Sequence, residues 1–170
     1  MSYRRFAAMI ATSTVIMFGL MYLNTYAIEH VAFSQTRAWM ALVMGAVMAV
    51  VMLGFMWGMY KNTRVNVAIM LGAVVVFAGA LTLVRSQATV GDVSYMKAMI
   101  PHHSIAIMTS ERANIQDPEV RQLADEIIEA QVREIAEMER HIARLEAEPP
   151  PGDAPVLPSY RDRGLAAPAG

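Results

Sequence analysis

Apolar residues fall into three long runs that carry almost no charge between Phe6 and Val84, whereas charge is dense from Asp92 to Glu148. A bilayer hydrocarbon core about 30 Å thick needs roughly 20 mainly apolar residues per helix. Residues 7–27, 38–60 and 65–84 each meet that requirement, so three transmembrane helices are predicted. The first run does not read as a signal peptide, because its apolar part is too long and no small-x-small site precedes Glu29. After Ser86 to Gly91 the pattern turns amphipathic. Asp92 is a plausible N-cap for a helix over Val93 to Asn114, and Asp117 with Pro118 opens a second helix that runs to about Glu148. From Pro149 to Gly170 the chain is rich in Pro, Gly and Ala, the composition of a disordered tail. The expected architecture is all-α: a membrane domain over 1–85, an outer helical hairpin over 86–148 and a tail over 149–170.

Lys and Arg at the ends of the spans set the expected orientation. Arg4, Arg5, Lys61 and Arg64 flank one side, and Arg37 and Arg85 the other. The amino terminus is therefore expected in the cytoplasm of a bacterium, with the hairpin in the periplasm. The second span carries Met40, Met44, Met48, Met52 and Met56, continued by Met59. A ladder of thioethers can relay a soft cation, but Met is also a flexible packing residue. The small residues Gly45, Ala49 and Gly58 point to close helix contacts, and no ionisable side chain marks a pathway inside a span.

Projected at 3.6 residues per turn, the first outer helix places Met96, Met99, Ile100, His103, Ile107 and Ser110 on one face, with His102 and Ala106 at its edge. The second groups Val120, Ala124, Ile127, Gln131, Glu134, Met138 and Leu145, with Leu123 and His141 at the edge. A carboxylate in such a stripe needs a partner, and His103 or His102 on the facing helix supplies one. Pro101 removes an amide donor ahead of the two histidines, and a kink or restart of the helix is expected there.

Composition narrows the chemistry. The chain is 55% hydrophobic with a formal net charge of -1, and it holds no cysteine. Thiolate sites and disulfides are excluded. The outer segment from Ser86 to Glu148 has twelve acidic residues against six Lys or Arg, which disfavours nucleic acid as a partner. Soft-metal chemistry must then use Met and His, and thioether with imidazole suits Cu(I) and Ag(I) better than hard cations. Di-iron bundles use Glu-x-x-His pairs, whereas here Met138 precedes His141, so iron oxidation is disfavoured. No nucleophilic triad, phosphate loop or zinc signature points to an enzyme.

Met99-Ile100-Pro101-His102-His103, with Ala106, Ile107, Gln131, Glu134-Ile135 and Met138, resembles a bacterial domain family of formally unknown function related to the periplasmic copper-binding protein CopM. The resemblance covers about Asp92 to Ile142. It implies a ferritin-like helical bundle outside the cytoplasm that binds copper through Met96, Met99, His102, His103 and Met138, with Glu134 and Gln131 supporting the imidazoles. His141 rests on the helix projection alone. Two helices can scarcely enclose a core by themselves, so either a homodimer forming a four-helix bundle or packing against the loop containing Glu29 and His30 is needed. His30 can add a ligand from that loop, or simply be solvated. Against the metal-binding reading stand a purely structural hairpin and, more weakly, a metal-ion oxidase.

Overall fold

The computed structural model describes residues 2–160 and 162, and among these residues there are five α-helices and no strand. They are α1 (Tyr3–Leu20), α2 (Gln35–Phe55), α3 (Thr63–Ser86), α4 (Asp92–Arg112) and α5 (Pro118–Ala147). Local chemistry sets most of the helix starts. Ser2, Ser34, Asn62 and Asp117 each cap a helix with a side-chain oxygen that accepts a first-turn amide. At α4 the cap is Gly91, and Asp92, expected as the cap, is instead the first helical residue, where its charge favours the helix dipole. Gln87 ends α3 in the left-handed region, with φ 53°.

Helices α2 and α3 are long and apolar enough to cross a membrane. The first span departs from expectation: the helix stops at Leu20, and Met21 to Asn24 form turns where a helix to residue 27 was predicted. Counted from Phe6, its apolar part rises about 22 Å at 1.5 Å per residue. Helix α2 likewise ends at Phe55, followed by a 3-10 turn at Trp57–Met59.

The centre of this half is α2, which packs on both α1 and α3. Leu53, fully buried, joins Phe6, Ala49, Tyr60 and Ala73 in one cluster, against which Met52 and Met56 pack. The methionine ladder is half-buried from Met40 to Met56, as a packing stripe would be. A Cβ on Gly45 would collide with Thr14, so this glycine permits the close approach of α1, whereas nothing stands near Gly58. At one end the Tyr3 hydroxyl donates to Asn66 Oδ1 at 2.8 Å and lies 3.1 Å from the Asn62 carbonyl. Asn66 is fully buried and donates to the Tyr60 carbonyl at 3.1 Å. At the other end Arg37 Nη1 donates to the Met21 carbonyl at 2.7 Å, and the Ser34 amide to the Tyr22 hydroxyl at 2.9 Å.

Helices α4 and α5 form an antiparallel hairpin, with Ile100, Ile107 and Ile135 at its centre. Helix α4 continues unbroken through Pro101, which lies inside it and is buried, so the expected restart is absent. The reason lies on the far side of α4, where the α1–α2 loop docks. The Tyr26 amide donates to Ser104 Oγ at 2.7 Å, and His30 Nδ1 lies 2.8 Å from the same oxygen. Ser104 is fully buried. Ser104 Oγ thus ties both the Tyr26 backbone and the His30 ring of the loop to α4. A hydrogen bond to Glu111, reinforced by that carboxylate's charge, raises the pKa of Tyr26 above its ordinary value. Of the two ways to complete the hairpin, packing against the loop with Glu29 and His30 is present within the single chain.

The buried face of α5 also differs from the projection. Ala124 and Ile135 are buried, with Ile128, Met138 and Ile142 beside them, whereas Val120, Leu123 and Ile127 are exposed. The seam is therefore shifted by one residue in this helix. That shift moves Glu134 from the interior to its rim. Beyond α5, residues 149–160 are exposed and hold no helix. The rest of the expected disordered tail, at 161 and 163–170, lies outside the described residues.

Replacing the fully buried Ser104 with Ala removes the acceptor for the Tyr26 amide, at an expected cost of about 1–3 kcal/mol. Thermal unfolding should register that loss, and amide exchange at Tyr26 should accelerate. Unchanged exchange there would contradict the docking.

Candidate metal site

The hairpin opens on one flank into a cleft of about 290 Å³ lined by Tyr95, Met96, His103, Glu134, Glu137, Met138 and His141. Helix α4 supplies Tyr95, Met96 and His103, which lie on one face at spacings of one and seven residues. Helix α5 supplies the other four within two turns. Met96 is buried and Met138 packs against the central isoleucines, so both thioethers are held by apolar contact at the edge of the core.

His103 is fixed at both ring nitrogens. Nδ1 lies 3.0 Å from the Met99 carbonyl and Nε2 2.8 Å from Glu134 Oε2. A carbonyl only accepts, so Nδ1 carries a proton. Nε2 faces the Glu134 carboxylate. The ring nitrogen able to bind a metal is therefore Nε2, with its orientation set by the backbone through Nδ1. The pair is only partly shielded: the His103 side chain is 13% exposed and that of Glu134 44%. The buried, costly carboxylate expected from the sequence is thus a half-solvated one at a rim.

The other predicted residues fall in different places. His102 is exposed, with its ring centroid 6.3 Å from that of His103, and it does not line the cleft. Met99 and Gln131 are half-buried outside it, Met99 contributing its carbonyl. His141 does line the cleft and sits 3.7 Å from Glu137. Glu137 and Tyr95 are the two lining residues that sequence reasoning did not assign to the site. Glu137 lies one turn before His141, and Tyr95 is the neighbour of Met96. His30 is engaged by Ser104 on the opposite side of α4.

The donor set limits what can be held. Among the described residues no three His, Cys, Asp or Glu side chains are grouped so that they could hold a metal ion. The cleft adds the two thioethers of Met96 and Met138 to the imidazoles of His103 and His141. That is a soft set.

The structure thus defines a helical hairpin docked on a bundle of apolar helices. Residues 80–155, which contain the whole hairpin and its cleft, match the family model described as a domain of unknown function, DUF305. Over 79 residues the chain is 38% identical to the uncharacterized protein L153 of Acanthamoeba polyphaga mimivirus, covering 45% of this chain and 49% of the viral protein. The chain therefore matches about half the length of that relative. No solved structure matches it.

A double-mutant cycle on His103 and Glu134 should give a coupling energy below about 1 kcal/mol, because the carboxylate is solvent-screened. A coupling of several kcal/mol in thermal melts would show that the pair is a buried structural bond rather than a rim contact.

Proposed function

We propose that this chain is a membrane-anchored copper-binding protein that holds Cu(I), or its analogue Ag(I), in the α4–α5 cleft, for buffering, resistance or delivery. The observation that carries the reading is that Met96, His103 and Met138 line one cleft from two different helices. Thioether and imidazole donors favour a soft monovalent ion over hard divalent ones. His103 Nε2 would bind the metal, and Glu134 would take up the released contact, by accepting a proton or by pairing with His141. Binding then competes with protons. The likeness of the Met99 to His103 motif to the family related to CopM supports the same chemistry. Met99, His102 and Gln131 have supporting roles at most in this geometry.

The anchor reading rests on exposure. Only 11% of the most apolar window of α3 is buried within the protein, and Leu71, Val74 and Val75 are exposed. A helix with so little protein around it calls for an apolar solvent. Helix α1 is proposed as a third crossing, because contacts at Tyr3 and Met21 set its two ends level with those of its neighbours. With the basic end in the cytoplasm, the hairpin lies in the periplasm. The exposed Val120, Leu123 and Ile127 on α5 would be covered in a homodimer, giving a ferritin-like four-helix bundle. The competing reading is a hairpin with a structural role alone, and it is favoured by the fact that the His103–Glu134 pair is satisfied without metal.

Titration of the full chain in detergent with Cu(I) under reducing conditions separates the two readings. A single Cu(I) should bind, and Met96→Ala, His103→Ala and Met138→Ala should each weaken binding about tenfold or more, which is about 1.4 kcal/mol. His102→Ala should change it less than about twofold, well within 0.5 kcal/mol. Absence of binding, or indifference to His103→Ala, would contradict the proposal. Because Cu(I) and protons compete for His103 Nε2, affinity should also fall as the pH is lowered, which a titration series at decreasing pH reads directly.

A further inference from the structure

A second cavity lies in the membrane half. Helices α1 and α3 diverge above α2 and leave an open apolar groove of about 650 Å³, running from Tyr3 and Phe6 to Val15, Leu42 and Val76. That volume is in the range of small-molecule sites, roughly 300–1,000 Å³. We propose that the groove holds one acyl chain of an anionic phospholipid drawn from the leaflet at the basic end of the bundle. This inference rests on the membrane reading and is independent of the copper reading.

Length argues for a lipid over a protein helix. From Tyr3 to Val15, α1 rises about 18 Å at 1.5 Å per residue, which is close to one leaflet, about half of the 30 Å hydrocarbon core. A helix from a second copy would need a seat along the whole core. Charge argues for an anionic headgroup. Arg4 and Arg5 are exposed beside Tyr3 and Phe6, and Lys61 and Arg64 are exposed on either side of Asn62. The Tyr3 bonds to Asn62 and Asn66 hold these two segments together. None of the four cations takes part in an ion pair among the described residues, so their combined field is available to a phosphate. At the same end the Tyr60 hydroxyl is buried without a hydrogen-bond partner. Its ring lies 4.9 Å from that of Tyr3 and 5.7 Å from that of Phe6. These ring contacts join Tyr60 to Tyr3 and Phe6, which line the groove.

Native mass spectrometry of the full chain in mild detergent, with phosphatidylglycerol and phosphatidylcholine supplied in equal amounts, tests the site. One phosphatidylglycerol per chain should be retained, in preference to phosphatidylcholine by about fivefold or more, given four nearby cations. Ala11→Phe, an exposed groove position on α1, should abolish retention while leaving the Cu(I) titration unchanged. Arg4→Gln with Arg5→Gln, both on the surface, should remove the preference without altering helix content. Equal retention of the two lipids, retention that survives Ala11→Phe, or a chain dimer that Ala11→Phe dissociates would each overturn the proposal, the last by showing that a second copy fills the groove.

Discussion

The burial of α4 on two sides is the constraint on which the rest depends. Two helices share only one seam, and a hairpin of this size has too little interior to hold itself together. The chain meets this by giving α4 a second contact surface. Met96, Ile100 and Ile107 face α5, while Pro101 and Ser104 face the α1–α2 loop. Ser104 has zero exposure, accepts from the Tyr26 amide and lies 2.8 Å from His30 Nδ1. Residues 103 and 104 are consecutive, so the docked face of α4 adjoins the flank that carries His103.

This arrangement explains which parts of the architecture were legible in the sequence. The element order, the caps at Asp117 and Pro118, and the two longest apolar helices follow from strong local signals: hydrophobic run length and helix-start chemistry. The end of α1 was misjudged although Asn24 and Thr25 interrupt the apolar run, and contacts at Tyr22 and Arg37 hold the turned segment in place. The register of α5 was also missed. Val120, Leu123 and Ile127 make a regular apolar stripe, and a pattern alone cannot tell that stripe from the seam through Ala124, Ile128 and Ile135 that the packing selects. At Pro101 the helix runs on without a restart, and the proline is buried within it.

For the site, residue types were a better guide than projected faces. Met96, His103, Glu134, Met138 and His141 come together as a set, although the face assigned to α5 was displaced. His102 did not join them, since adjacent residues on a helix point about 100° apart and only one imidazole of the pair can face α5. The shift of register also changes the energetic argument. A carboxylate that is nearly half exposed does not demand a partner, so the case for metal chemistry passes from the buried charge to the convergence of two thioethers on an imidazole whose orientation the backbone already sets.

The proposal that the cleft holds Cu(I) is tested most directly by the ion's nearest neighbours. X-ray absorption at the copper edge, on the full chain loaded with one equivalent of Cu(I), should show a mixed shell dominated by sulfur with a single imidazole nitrogen. Histidine-to-alanine exchange at 103 should remove the nitrogen and leave the sulfur. A shell of nitrogen and oxygen alone, or one indifferent to the loss of Met96 and Met138, would contradict the assignment of the cleft as a thioether and imidazole site.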